Sequence, residues 1–68
     1  MTIRAARKAM GITQAELAKM TGVSRMNIQR YETGYRQPIL ENAIAISKAL
    51  SIPIESMIRT LETTKNTA

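Results

Sequence analysis

The fold of this chain is decided by residues 13–34, which read Thr-Gln-Ala-Glu-Leu-Ala-Lys-Met-Thr-Gly-Val-Ser-Arg-Met-Asn-Ile-Gln-Arg-Tyr-Glu-Thr-Gly. Thr13 and Glu16 have the spacing of a capping box, in which each side chain satisfies a backbone N–H of the other residue. Ser24 is a second N-cap residue, and Gly22 and Gly34 suit the left-handed turns that end helices. The stretch therefore predicts two short helices joined by a tight turn.

The flanking sequence predicts three further helices. Thr2 can cap a first helix, whose apolar positions recur at helical spacing at Ile3, Ala6 and Met10. After a loop at residues 35–38, a fourth helix carries an apolar stripe of Leu40, Ala43, Ile44, Ser47 and Leu50. Pro53 is well placed in the first turn of a fifth helix. The apolar face of that fifth helix is formed by Ile54, Met57, Ile58 and Leu61.

No segment alternates polar and apolar residues for long enough to form a strand. The predicted fold class is thus all-α, a compact five-helix domain over residues 1–61 with a flexible C-terminal tail at 62–68. A chain of 68 residues is near the lower size limit for a fold that rests on a hydrophobic core alone. Stability must come from packing, with a second copy of the chain as a possible aid.

Composition excludes several classes of function. The chain has no cysteine and no histidine, so it predicts no disulfide, no metal site of the usual zinc type and no cofactor. It also lacks aspartate, and its glutamates are dispersed, so we expect no enzyme. No apolar run reaches the roughly 20 residues of a membrane span, and residues 1–10 do not form a signal peptide. We therefore expect a soluble, cytoplasmic protein without a membrane partner.

The net charge of +5 is unevenly distributed. Residues 1–36 hold seven of the ten basic residues and only two glutamates, whereas residues 37–68 are electrically neutral. A basic half joined to a neutral half favours an anionic partner on one side of the molecule. A solvated basic surface with no partner is the alternative.

The third helix has two different faces. At 100° per residue, the long polar or flexible side chains fall within an arc of about 140°, and the other arc is mainly apolar. The first arc consists of Arg25, Met26, Gln29 and Arg30. A helix of this kind fits the major groove of DNA, where arginine can pair with guanine, glutamine with adenine and an apolar side chain with the thymine methyl group. The alternative is a solvated face with one scattered methionine.

Residues near the ends of the helices could hold the phosphates of the same duplex. Backbone N–H groups and side chains at helix starts bind phosphate readily, and loop residues next to a recognition helix can contact the backbone. The predicted phosphate contacts are Gln14, Ser24, Asn27, Tyr35 and Arg36. Capping alone would also explain Ser24, and Tyr35 could instead cover the edge of the core.

The segment Gln14–Glu32 resembles the helix-turn-helix of the phage repressor and Cro-like (XRE) transcription regulators, which have a lambda-repressor-like fold. The resemblance rests on apolar, small or glycine residues at Leu17, Ala18, Gly22, Val23, Ile28 and Tyr31. It extends from Arg7 to Leu50, and two positions depart from the pattern. Thr21 stands where the motif prefers an apolar residue, and Ile39 stands where a capping serine or threonine is usual.

The resemblance implies roles for individual residues. It implies that Gln14 grips a phosphate, that Arg7 and Glu32 form a structural ion pair, and that the base-reading residues are Arg25, Met26 and Arg30, assisted by Gln29. It further implies a transcription regulator of the repressor type that binds double-stranded operator DNA as a homodimer on an inverted repeat. The expected dimer interface is the fifth helix, through Ile54, Ile58 and Leu61. Such a protein would act at the nucleoid of a bacterial or phage-infected cell.

A different class of function remains open. A helix-turn-helix can also serve as a protein-interaction module or as the antitoxin-type partner of another protein. An acidic or apolar outer face on the third helix would favour that class. The arginines and glutamine of that face favour DNA instead.

Overall fold

The computed structural model describes residues 2–57, and this part of the chain is all-helical without a strand. Its elements are α1 (Ile3–Ala9), α2 (Gln14–Thr21), α3 (Arg25–Thr33), α4 (Leu40–Leu50) and a single 3-10 turn (Ile54–Ser56). None of the helices in residues 2–57 is long and apolar enough to span a membrane.

The capping residues read from the sequence begin and end the helices as expected. The Thr2 hydroxyl accepts a hydrogen bond from Ala5 N at 3.0 Å. In the capping box, Glu16 N donates to Thr13 Oγ1 at 3.0 Å and Thr13 N donates to Glu16 Oε1 at 2.7 Å. These bonds satisfy backbone N–H groups that the first turn of a helix leaves without a partner inside the helix.

The turn between α2 and α3 depends on Gly22 and on Thr21, which stands where the family pattern prefers an apolar residue. Gly22 has φ +76°, in the left-handed region that a residue with a side chain adopts only at a cost. The Thr21 hydroxyl donates to Leu17 O at 2.8 Å and accepts from Val23 N at 3.2 Å. Thr21 therefore stabilises the turn by hydrogen bonding, where an apolar residue would do so by packing.

The hydrophobic core lies where α2, α3 and α4 meet. Its three fully buried large side chains come one from each of these helices: Leu17, Ile28 and Ile46. Ile3 and Ala6 of α1 cover one side, and Val23 of the turn joins the same cluster. The core thereby fixes how α3 lies relative to the other helices.

The predicted apolar stripe of α4 was partly wrong. Ala43 and Leu50 are buried as expected, but Leu40 and Ile44 are exposed and Ile46 takes the central position. Apolar residues surround most of α4, so periodicity alone does not select one face. Packing against α2 selects the face with Ala43, Ile46 and Leu50, which are three and four residues apart.

The predicted fifth helix was also wrong within residues 2–57, which contain four α-helices instead of the start of a fifth. After Pro53, the bonds Ser56 N to Pro53 O and Met57 N to Ile54 O have 3-10 spacing, and Met57 then leaves helical geometry at φ −123°. Residues 54–56 therefore form a single 3-10 turn in place of an α-helical one. The predicted face residues Ile58 and Leu61, and the predicted tail at 62–68, lie outside the described residues.

Candidate nucleic-acid interface

The candidate interface is the outer face of α3. Ile28 is fully buried against the core, which directs the opposite side of the helix to solvent. Arg25, Met26 and Gln29 are exposed there, and Met26 exposes 59% of its surface. Three of the four predicted base-reading residues therefore stand on one accessible face.

Arg30, the fourth of these residues, is half-buried and lies next to the loop that follows α3. Its guanidinium carbon is 5.9 Å from the centroid of the Tyr35 ring. Tyr35 is 75% exposed, so it does not cover the core edge. Arg36 is also exposed, and the loop thus adds an aromatic and a cationic side chain beside α3.

A polar network joins α1, α2 and α3. Arg7 Nε donates to Glu32 Oε2 at 2.6 Å and Arg7 Nη2 donates to Glu32 Oε1 at 3.2 Å. Gln14 Nε2 donates to Glu32 Oε1 at 3.1 Å. The side chains of Arg7 and Glu32 are only 11% and 3% exposed, so this ion pair is largely shielded from solvent.

The network shifts the pKa values of both Arg7 and Glu32 in favour of their charged forms. Burial disfavours the charged form of Glu32, but hydrogen bonds from Arg7 and Gln14 and the charges of Arg7 and Arg4 outweigh it, and the pKa of Glu32 lies below its ordinary value. The hydrogen bond to Glu32 raises the pKa of Arg7, partly opposed by burial. Both side chains are therefore charged at neutral pH.

Three of the five predicted phosphate contacts, Gln14, Ser24 and Asn27, lie at the starts of α2 and α3. Ser24 Oγ accepts from Asn27 N at 3.1 Å, so this hydroxyl caps α3, and its own hydrogen remains able to donate. Gln14 uses one of its amide hydrogens on Glu32 and has a second one. Ser24 is exposed, whereas Gln14 and Asn27 are half-buried. Contact of these residues with phosphate stays a prediction.

Two polar contacts near the interface were not foreseen from the sequence. Asn42 Nδ2 of α4 donates to the Tyr31 hydroxyl of α3 at 2.9 Å, and Arg7 Nη1 donates to Ile12 O at 2.8 Å. The first contact joins two helices, and the second joins α1 to the loop that follows it. Helical periodicity carries no signal for such contacts.

Of the three residues predicted at the dimer interface, only Ile54 lies within the part of the chain that the structure describes. Ile54 is half-buried, and its predicted companions Ile58 and Leu61 lie outside the described residues. At the start of α4, Ile39, Leu40 and Ile44 are 61%, 58% and 41% exposed.

Among residues 2–57 no group of three or more carboxylates is placed to hold a metal ion.

Two capped helices joined by a left-handed glycine turn, the second with a buried and a polar accessible face, define a helix-turn-helix domain. The family model described as Helix-turn-helix matches residues 3–57. The chain belongs to the helix-turn-helix family, of the phage-repressor (XRE) type.

Two relatives illustrate this membership. Repressor protein C2 of Salmonella phage P22 is 42% identical over 57 residues, which are 84% of this chain and 26% of that protein. The cryptic phage CTXphi transcriptional repressor RstR of Vibrio cholerae is 37% identical over 60 residues, 88% of this chain and 54% of that protein. The chain thus spans about a quarter and about half of the length of these relatives.

A solved structure with the same fold is the crystal structure of the P22 c2 repressor in complex with synthetic operator 9T in the presence of Tl+. Its TM-score with this chain is 0.78 at 42% sequence identity, and the match covers 84% of this chain and 86% of the crystallised one. The similarity in sequence and the similarity in structure thus each cover 84% of the chain.

Proposed function

We propose that this chain is a sequence-specific, double-stranded DNA-binding transcription regulator of the repressor type. The observation that carries the proposal is the exposed face of α3, on which Arg25, Met26 and Gln29 project from a helix that the core holds in place. Arginine and glutamine can each make two hydrogen bonds to one base edge, and methionine supplies an apolar contact for thymine. The net charge of +5 favours the phosphate backbone of the same ligand.

The similarity to the P22 c2 repressor supports this proposal. That protein has the same fold, and it was crystallised in complex with a synthetic operator. We infer that α3 enters the major groove and that Gln14, Ser24, Asn27 and Arg36 approach the phosphates. In this arrangement the chain acts at the nucleoid in the cytoplasm of a bacterial or phage-infected cell.

We further propose that the protein binds as a homodimer to an inverted repeat. Repressors of this architecture read two half-sites about 34 Å apart, one helical turn of DNA. A small domain gains affinity when two copies bind together, because the second binding event becomes intramolecular. Ile54, Ile58 and Leu61 stay the proposed contacts between the copies.

A second candidate function is that of a protein-interaction module or antitoxin-type partner. The observation that favours it is the exposed apolar group of Ile39, Leu40 and Ile44 at the start of α4. Clustered exposed apolar side chains often mark a protein contact. This function is compatible with DNA binding by α3.

Selection of bound duplexes from a random DNA pool at near-physiological salt tests the proposal. Enrichment of an inverted repeat is expected. A single half-site would retain base reading and remove the preformed dimer, and the absence of enrichment for the wild-type chain would refute DNA recognition. In the same selection, Arg25→Ala should relax the preference at a single base pair. Lys48→Ala, which removes an exposed cation of α4, is its matched control, because both variants lose one positive charge.

A further inference from the structure

The contact between Arg30 and Tyr35 joins the recognition helix to the loop behind it. The guanidinium carbon lies 5.9 Å from the ring centroid, at which distance the negative face of an aromatic ring attracts a cation. Tyr35 exposes 75% of its surface, so packing in the core does not explain its position.

The backbone hydrogen bonds after α3 hold Tyr35 close to Arg30. Gly34 turns the chain at φ +81°, and Arg30 O then accepts hydrogen bonds from Tyr35 N at 3.0 Å and from Arg36 N at 3.3 Å. The Thr33 hydroxyl donates to the same carbonyl at 3.2 Å. The start of the loop is therefore attached to the residue whose side chain its aromatic ring meets.

This arrangement restricts Arg30 without using its hydrogen-bond donors. An arginine side chain has many rotamers, and the loss of that freedom opposes any specific contact it makes. The guanidinium carbon lies over the ring, and a cation attracted to an aromatic face in this way keeps its five N–H groups available as donors. An arginine held in this way is prepared to donate two parallel hydrogen bonds to guanine.

We propose that Tyr35 is a positioning residue for Arg30 and that its ring, through this contact, sharpens the choice of the base that Arg30 reads. The inference rests on the proposed function. It differs from the phosphate contact predicted for Tyr35 from the sequence, which would depend on the hydroxyl. A phosphate contact predicts that removal of the hydroxyl weakens binding. The positioning role predicts that removal of the hydroxyl has no effect and that removal of the ring reduces discrimination.

The test compares Tyr35→Phe, which keeps the ring, with Tyr35→Leu, which removes it. Affinities are measured for the duplex selected by the wild-type chain and for duplexes that carry a single changed base pair. We expect Tyr35→Phe to keep the wild-type preferences. Tyr35→Leu should lose about two- to fivefold discrimination at the base pair read by Arg30 and at no other position. In an Arg30→Ala background, Tyr35→Leu should have no further effect on discrimination.

A measurement without DNA supports the same test. The ring current of an aromatic side chain shifts the NMR signals of the Arg30 side-chain protons, and we expect this shift in the wild-type chain and Tyr35→Phe but not in Tyr35→Leu. Full discrimination by Tyr35→Leu would overturn the proposal. Equal loss of affinity for all duplexes in Tyr35→Phe would overturn it in favour of a phosphate contact. If the wild-type chain binds no duplex, the proposed function itself fails. This outcome differs from the two results that would overturn the role of Tyr35 alone.

Discussion

Arg7 and Glu32 face each other across 25 residues of sequence, with Nε and Oε2 only 2.6 Å apart. The pair joins the last turn of α1 to the C-terminal part of α3, and Gln14 at the start of α2 donates to the same carboxylate. The orientation of α3 therefore depends on a polar network as well as on apolar packing. This network links the stability of the fold to the position of the face that is proposed to read DNA.

Arg7→Ala should destabilise the fold strongly. It leaves the Glu32 carboxylate largely buried with Gln14 as its remaining partner, and it removes the bond to Ile12 O. Removal of one partner of a shielded ion pair costs roughly 3 kcal/mol, since the other charge stays desolvated. The free energy of unfolding, from urea titration followed by circular dichroism, measures the loss.

Lys8→Ala is the control for this prediction, because Lys8 is an exposed cation on the same helix. Its unfolding free energy should stay within about 0.5 kcal/mol of the wild-type value. If Arg7→Ala were no less stable than Lys8→Ala, the ion pair would have no structural role.

The stabilising effect of Glu32 should disappear in acid. The pKa of Glu32 is lower in the folded chain than its ordinary value of 4.5, so its contribution is present above that pH and is lost as the pH falls through the folded pKa. The difference in unfolding free energy between the wild-type chain and Glu32→Gln should be largest at neutral pH and should shrink below pH 4.5. Glu41→Gln controls for loss of an exposed carboxylate, and a difference that stays constant down to about pH 3 would contradict the assignment.

The parts of the fold that the sequence predicted well are those set by local interactions. The caps at Thr13 and Ser24 and the left-handed turns at Gly22 and Gly34 depend on residues within one helical turn of each other. The exposure of Arg25, Met26 and Gln29 followed from the one apolar face of α3. Local spacing contains this information.

The parts that sequence reasoning missed depend on tertiary packing. Leu40 and Ile46 are both apolar, and the packing of α2 and α1 against α4 decides that Ile46 is buried and Leu40 exposed. The expected fifth helix had a suitable apolar spacing, but residues 54–56 form one 3-10 turn. The Arg30–Tyr35 contact arises from the reversal of the chain at Gly34, which periodicity along a helix does not represent.

Gly22→Ala should destabilise the fold through the backbone alone. A methyl group at this position would meet no heavy atom within 4 Å, so no clash is expected, but φ is +76°. An L-residue in the left-handed region costs about 1 kcal/mol relative to glycine. Thermal unfolding measures this cost, and Ala15→Gly, at an exposed position in the first turn of α2, is a control in the reverse direction. A Gly22→Ala protein more stable than wild type would show that the turn does not need this conformation.

Arg25→Ala and Arg36→Ala should weaken DNA binding in different ways. Arg25 lies on the outer face of α3 and is proposed to read a base, so its loss should cost about 1–3 kcal/mol and relax the preference at a single base pair. Arg36 lies in the exposed loop and is proposed to contact phosphate, so its loss should weaken binding to all duplexes equally. It should also reduce the slope of log affinity against log salt by about 0.9.

Titrations of each variant with selected and altered duplexes at several salt concentrations separate the two effects. A uniform loss in Arg25→Ala together with a base-specific loss in Arg36→Ala would mean that the loop, rather than α3, reads the sequence.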